Sequence, residues 1–187
     1  QLTNYLNDLI GLGVAGFRID AAKHMAAADI AGILAGLQQP AEVYQEVIEG
    51  GGEGVSAQAY FSNGQVTEFD FGLKLAEMFR SGRLADLRTF GESWQELMPS
   101  DRAIVFVDNH DNQRGHGGGG GVLTHEDGAL YDLANVFMLA WPYGYPRVMS
   151  SYAFTHTDQG PPQDQDGTTS RVHQGTAGCS EGWVCEH

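Results

Sequence analysis

Residues 13 to 25, GVAGFRIDAAKHM, set an apolar run against charges that would not ordinarily share it. Val14, Ala15, Phe17 and Ile19 read as a strand buried on both faces, yet the run carries Arg18 and stops on Asp20, with Lys23 and His24 just beyond. Charged residues rarely sit inside such a strand unless they are paired or perform chemistry. A doubly buried strand ending on a carboxylate suits a parallel sheet whose C-terminal edge carries a site.

The flanking pattern repeats that unit. Leu2, Leu6, Leu9 and Ile10 recur at helical spacing, and Gly11-Leu12-Gly13 stops that helix ahead of the strand at 14–19. Residues 26–37 read as a second helix, 41–48 (AEVYQEVI) as a second strand, 66–71 (VTEFDF) as a third and 73–79 as the helix after it. AIVFVDN at 103–109 is the clearest strand, 125–140 reads as a helix, and YPRVMSS at 145–151 is a weaker fifth strand. Strands alternating with helices imply βαβ units and a parallel α/β sheet. Residues 155–187 turn polar and rich in Gly, Asp and Gln, and are expected to form a surface excursion. Three of the five strands end in acidic or amide clusters: Asp20, Glu46 with Glu49, and Asp108-Asn109-His110-Asp111. The C-terminal edge carries the chemistry in barrels and doubly wound sheets alike, so these groups are expected on one face.

Composition narrows the partner. The 187 residues are 42% hydrophobic, enough for one sizeable core, and 10 Lys and Arg stand against 24 Asp and Glu for a net charge of -14. That balance repels phosphate backbones and anionic lipid, which argues against nucleic acid and membrane as partners. No apolar run reaches the roughly 18 residues of a membrane span, and no signal-peptide pattern is present. Cys179 and Cys185, six positions apart in a Gly-containing stretch, leave two readings open: a local disulfide of an oxidising, extracellular setting, or two free thiols.

Three chemistries could use the clustered carboxylates. His24, His110, Asp20 and Asp111 could ligate a metal, but no HExxH, paired CxxC or EF-hand spacing supports it. The glycine run at 115–121 lacks the Lys-Ser/Thr ending of a phosphate loop. Glycoside cleavage needs one carboxylate as nucleophile and a second, protonated, as general acid, roughly 5–5.5 Å apart in retaining enzymes, a spacing that neighbouring strand ends provide.

The residues also carry a family likeness. GFRIDAAKH at 16–24, QEVI at 45–48 and FVDNHDNQRGHG at 106–117 resemble three signature regions of the α-amylase family of glycoside hydrolases, in the family's order. WQELMPSDR at 94–102, Pro142-Tyr143-Gly144 and RVMSSY at 147–152 are similar to its animal-type, chloride-dependent members. The resemblance implies a (β/α)8 TIM barrel, of which this chain is a partial sequence covering about strands four to eight. The upstream barrel half, an inserted domain and a C-terminal β-domain would lie outside it.

Residue by residue, the resemblance implies Asp20 as nucleophile, Glu46 as general acid/base and Asp111 as the third carboxylate, which orients the sugar. Arg18 and His110 would hold the nucleophile and the sugar, and Lys23 and His24 would contact the leaving-group side. His116 sits in the glycine-rich loop at 115–121, which matches a mobile lid over bound glucan. Arg18, Asn109 and Arg147 would bind an activating chloride, an anion that favours the protonated acid. The backbone carbonyl of His24 would give one ligand to a structural calcium whose other ligands lie elsewhere. Cys179 and Cys185 match a short-range disulfide. Gly91-Glu92-Ser93-Trp94-Gln95 departs from the family's usual Gly-Glu-Gly-Trp-Gly. The implied protein is secreted, monomeric at full length and acts on α-glucan by endohydrolysis of α-1,4 bonds. The alternatives are a transglycosylase or exo-glucosidase of the same family, or a barrel that only binds carbohydrate.

Overall fold

A computed structural model describes the chain except for residues 51, 92, 93, 95, 118, 119, 174–177, 186 and 187. Parts of two expected features, the glycine-rich loop at 118 and 119 and the variant stretch at 92, 93 and 95, therefore lie outside the described residues. The chain divides into two compact units, one of Gln1–Asp70, Thr89–Val105 and Pro142–Tyr145, the other of Phe71–Arg88, Phe106–Trp141 and Pro146–His187.

The first unit holds the start of the chain. Helix α1 (Leu2–Gly11) leads through a turn at Gly13 into strand β1 (Gly16–Ile19), followed by helix α2 (Ala27–Leu34) and strand β2 (Glu42–Gln45). Strands β3 (Gln65–Thr67), β4 (Ala103–Val105) and β5 (Tyr145–Pro146) complete a five-stranded sheet in sequential order, with β1 to β4 paired in parallel. Sequential parallel strands joined through helices are what a contiguous part of a (β/α)8 barrel contains. Ala22, Ile30, Val47, Ala57, Tyr60 and Val66 form the buried core, with Ile19, Ala27 and Leu34 packed against it.

Several expected boundaries move. Val14 and Ala15 are exposed and precede β1, although the Ala15 carbonyl already accepts from Glu42 N–H at 3.0 Å. The run at 66–71 is strand only to Thr67. Glu68 Oε1 accepts the Asp70 N–H at 3.0 Å, and this capping contact starts helix α3 (Phe69–Ser81) where the alternating run at 66–71 reads as strand. The run at 103–109 pairs only to Val105, yet Phe106, Val107 and Asp108 stay buried.

In the second unit, α3 buries Phe71, Leu75, Ala76 and Met78, and helix α4 (Ala129–Ala140) buries Tyr131, Ala134, Asn135 and Met138. The helix expected over 125–140 is broken: a single 3-10 turn at His125–Asp127, closed by a Thr124–Asp127 capping box, precedes α4. The fifth expected strand also divides. Ser151–Tyr152 forms β6 and pairs antiparallel with β7 (Trp183–Val184), so the polar C-terminal stretch returns to make a small sheet of its own. Cys179 and Cys185 are joined in a disulfide, as the resemblance implied.

Candidate active site

Parallel pairing of β1 with β2 sets Ile19 beside Gln45, and the next residue of each strand is a carboxylate. Glu46 N–H donates to Ile19 O at 2.9 Å, and Ala22 N–H donates to Glu46 O at 2.9 Å, so the ladder continues past the strands and fixes Asp20 and Glu46 at one level. Between them Ala21 adopts a left-handed conformation, φ 46° and ψ 38°, and its N–H donates to Glu46 Oε2 at 2.8 Å. Side chains alternate across a strand. Gln45 accordingly turns into the core, donating to Tyr60 O at 3.0 Å, while Glu46 turns the other way and accepts from Arg18 and from the Ala21 N–H.

Arg18 joins the two acids. Its Nη1 donates to Asp20 Oδ1 at 2.6 Å and its Nη2 to Glu46 Oε1 at 2.7 Å. The side chain of Asp20 is 72% exposed and that of Glu46 only 6%, so one carboxylate opens to solvent beside one that is almost closed off. Burial pulls the Arg18 pKa down, but the hydrogen bond to Asp20 and the attraction of both carboxylates outweigh it and leave the guanidinium raised above its ordinary value. Beyond the strand end, Lys23 pairs with Glu53 at 2.9 Å. That hydrogen bond and the Lys23 charge hold the Glu53 carboxyl below its usual range, and the adjacent His24 adds to the effect.

The second unit holds the other expected residues. Asn109 Oδ1 accepts the N–H groups of Asp111 and Asn112 at 2.9 and 2.8 Å, and Asn112 Oδ1 accepts Asn109 N–H at 2.7 Å. This reciprocal pair builds a tight turn that presents His110 and Asp111, whose Nε2 and Oδ2 lie 3.6 Å apart. His116 N–H donates to Asp111 O at 3.0 Å. At the next position a Cβ would stand 2.8 Å from Asp111 Cβ, and φ is 49°, so Gly117 is required where the chain passes the carboxylate. His110, Asp111, His116 and Gly117 line a cavity of about 650 Å³.

Over its whole length the chain is 48% identical to an α-amylase of Pecten maximus and 46% identical to alpha-amylase 1B of Homo sapiens. It superposes on a mutant α-amylase I of Eisenia fetida in complex with maltohexaose, and on the wild-type enzyme, with TM-scores of 0.88 and 0.87 at 42% identity over 99% of the chain. The chain belongs to the α-amylase family. No family model matches it. It spans about 40% of the length of these relatives, 39% and 41% of the two sequences and 41% of each solved chain.

With the α-amylase frame in place, the residues can be tested against the ions of the animal-type members. Arg18, Asn109 and Arg147 each carry N–H donors, so the donor set fits chloride in kind. For calcium the fit fails within this chain, because one carbonyl at His24 stands against the six to eight oxygens that ion takes.

Two acids and two neighbours of Asp111 were passed over in the sequence. Glu53 stands among the glycines of EGGGEG at 49–54, where no motif marks it. Glu68, inside the apolar VTEFDF run, is buried, and burial pushes it up to about 7 despite N–H bonds from Met98 and Asp70. A charge at a strand end was the signal, the same one that marked Asp20. Gln113 and Arg114 lay within the signature at 106–117 without an assigned role. Gln113 donates to Asp108 Oδ2 at 2.8 Å and accepts from Ser151 Oγ at 2.6 Å.

Proposed function

We propose that the protein carrying this chain hydrolyses α-1,4-glucosidic bonds inside starch, glycogen and related glucans, with retention at the anomeric carbon. The observation that carries the reading is the Arg18 guanidinium shared by Asp20 and Glu46 at the ends of neighbouring strands. Two carboxylates on the two terminal nitrogens of one planar group are held side by side, as retention requires at roughly 5–5.5 Å. The chain's similarity to α-amylases, one of them the mutant Eisenia fetida enzyme in complex with maltohexaose, supports an α-glucan as the substrate.

In the proposed reaction, an Asp20 carboxylate oxygen attacks the anomeric carbon as the glycosidic C–O bond breaks, and protonated Glu46 gives its proton to the departing oxygen. Glu46, now ionised, takes a proton from water, and that water oxygen displaces Asp20 from the anomeric carbon. The exposed Asp20 suits a nucleophile that must meet the sugar, and the enclosed Glu46 suits an acid kept from bulk water. Asp111 and His110 orient the sugar, Lys23 and His24 contact the leaving-group side, and His116 closes from the glycine-rich loop. Arg18, Asn109 and Arg147 would hold chloride, which would supply a negative charge to the site when bound.

The chain itself is proposed as the C-terminal part of the catalytic barrel of a secreted, monomeric enzyme. No helix among the described residues is long and apolar enough to cross a membrane. Starch cleavage by the complete protein, measured with and without chloride, tests the reading. Asp20→Asn is expected to abolish cleavage and chloride withdrawal to slow the parent. Undiminished activity of Asp20→Asn would overturn the nucleophile, and indifference to chloride would remove the anion site.

A further inference from the structure

The cavity beside Asp111 has a second wall. His110, Asp111 and His116 line it from one stretch of chain, and Ser150, Tyr152 and Thr157 from another about 40 residues on. Arg114 connects the two. Its backbone N–H donates to Asp111 O at 3.0 Å, while its Nη1 donates to Thr157 O at 3.1 Å and Gln159 O at 2.8 Å. The guanidinium carbon also lies 4.6 Å from the ring centroid of Tyr152 and 4.5 Å from that of Phe154. The segment it grips is knotted on Gln159. Tyr152 O–H donates to Gln159 O at 2.8 Å, Thr155 N–H to Gln159 Oε1 at 2.9 Å, and Gln159 Nε2 to Ala153 O at 3.1 Å.

A preorganised loop binds a flexible chain more tightly than a loose one, because its ordering cost has already been met. We propose that Arg114 is a positioning residue for glucan binding: it fixes residues 152–159 as a rigid wall and keys that wall to the turn bearing Asp111. Its hydrogen bonds go to main-chain carbonyls, so it acts on substrate through the wall. The role is specific to arginine, whose planar guanidinium lies over two rings while one of its terminal nitrogens reaches two carbonyls; a lysine ammonium has no planar face to stack on the rings. This inference rests on the reading of the cavity as a glucan site.

The test uses the complete protein with Arg114→Ala and Arg114→Lys, and three measurements. Starch kinetics are expected to show KM raised ~10-fold with kcat held within about twofold, the pattern of lost ground-state binding. Maltohexaose affinity, measured in an Asp20→Asn background, is expected to fall by the same factor, and limited proteolysis within 153–160 to accelerate. Lysine is expected not to rescue. If Arg114→Ala fails to fold, Tyr152→Phe, which removes only the hydroxyl bond to Gln159, is expected to raise KM in the same direction by less. An unchanged KM and affinity in an active parent, or a fall in kcat at constant KM, would overturn the inference. A parent that neither binds nor cleaves glucan would overturn the glucan reading beneath it, and the proteolysis rate would still report whether Arg114 holds the segment.

Discussion

Ala21 carries the bend that follows Asp20 at a conformation that L side chains seldom adopt, φ 46°. A left-handed alanine costs roughly 1–2 kcal/mol, and the bend aims its N–H at Glu46. Ala21→Gly exchanges that strain for a looser unfolded chain and is expected to leave stability within ~1 kcal/mol. Ala21→Val, β-branched at the same φ, is expected to cost ~2 kcal/mol or more by denaturant titration of the complete protein, with loss of activity. Valine at no cost would show that the bend is unstrained. Glu68 makes the other residue-scale prediction. Its folded value of about 7 lies above its ordinary 4.5, so the folded state holds a proton that the unfolded chain has released. The associated stability is full below about pH 4.5 and lost as pH rises through about 7, on the order of 3 kcal/mol in all. The stability difference between parent and Glu68→Gln should therefore shift against the parent from pH 4.5 to 8. A difference independent of pH would refute it.

Elements in this chain are placed by close backbone approach as much as by propensity. On α3, a Cβ at Gly72 would stand 2.6 Å from Val107 O and 3.0 Å from Phe106 O, both backbone atoms. Alanine would gain ~1 kcal/mol of helix propensity there, but the clash forces the helix away from the segment leading to Asp108 and Asp111. Gly72→Ala is expected to destabilise by about 1–3 kcal/mol, the scale of an overpacked core, and a rise in the melting temperature of the complete protein would contradict it. Element boundaries were partly legible for the same reason. The apolar alternation marked where β3 begins, while its end depended on Glu68 capping α3, a contact that periodicity does not encode. The split of 145–152 between two sheets depended on β7, more than 30 residues away in sequence.

At the scale of the molecule, β1 stands at the edge of the sheet with β2 as its neighbour. Leu12 is 83% exposed, and Leu133, Val136 and Leu139 form an exposed apolar row on α4. An open parallel edge with bare apolar groups is a template for aggregation, whereas a closed barrel has no such edge. The 187-residue chain expressed alone is therefore expected to lack a sharp, concentration-independent thermal transition and to leave starch uncut. A cooperative calorimetric peak from the isolated chain would overturn the proposal that it is one part of a barrel.

The sequence by itself determined the alternation of strands and helices, the acidic strand ends and the family likeness, because side-chain period and residue type are local properties. Only the tertiary structure decided that one arginine serves both Asp20 and Glu46, 28 positions from the latter. It also decided that Glu68 is enclosed enough to hold a proton near neutrality, and that Arg114 spans from Asp111 to Gln159. Each of these depends on which distant segments meet and how much water they exclude, and neither strand pairing nor burial is written in the spacing of one segment.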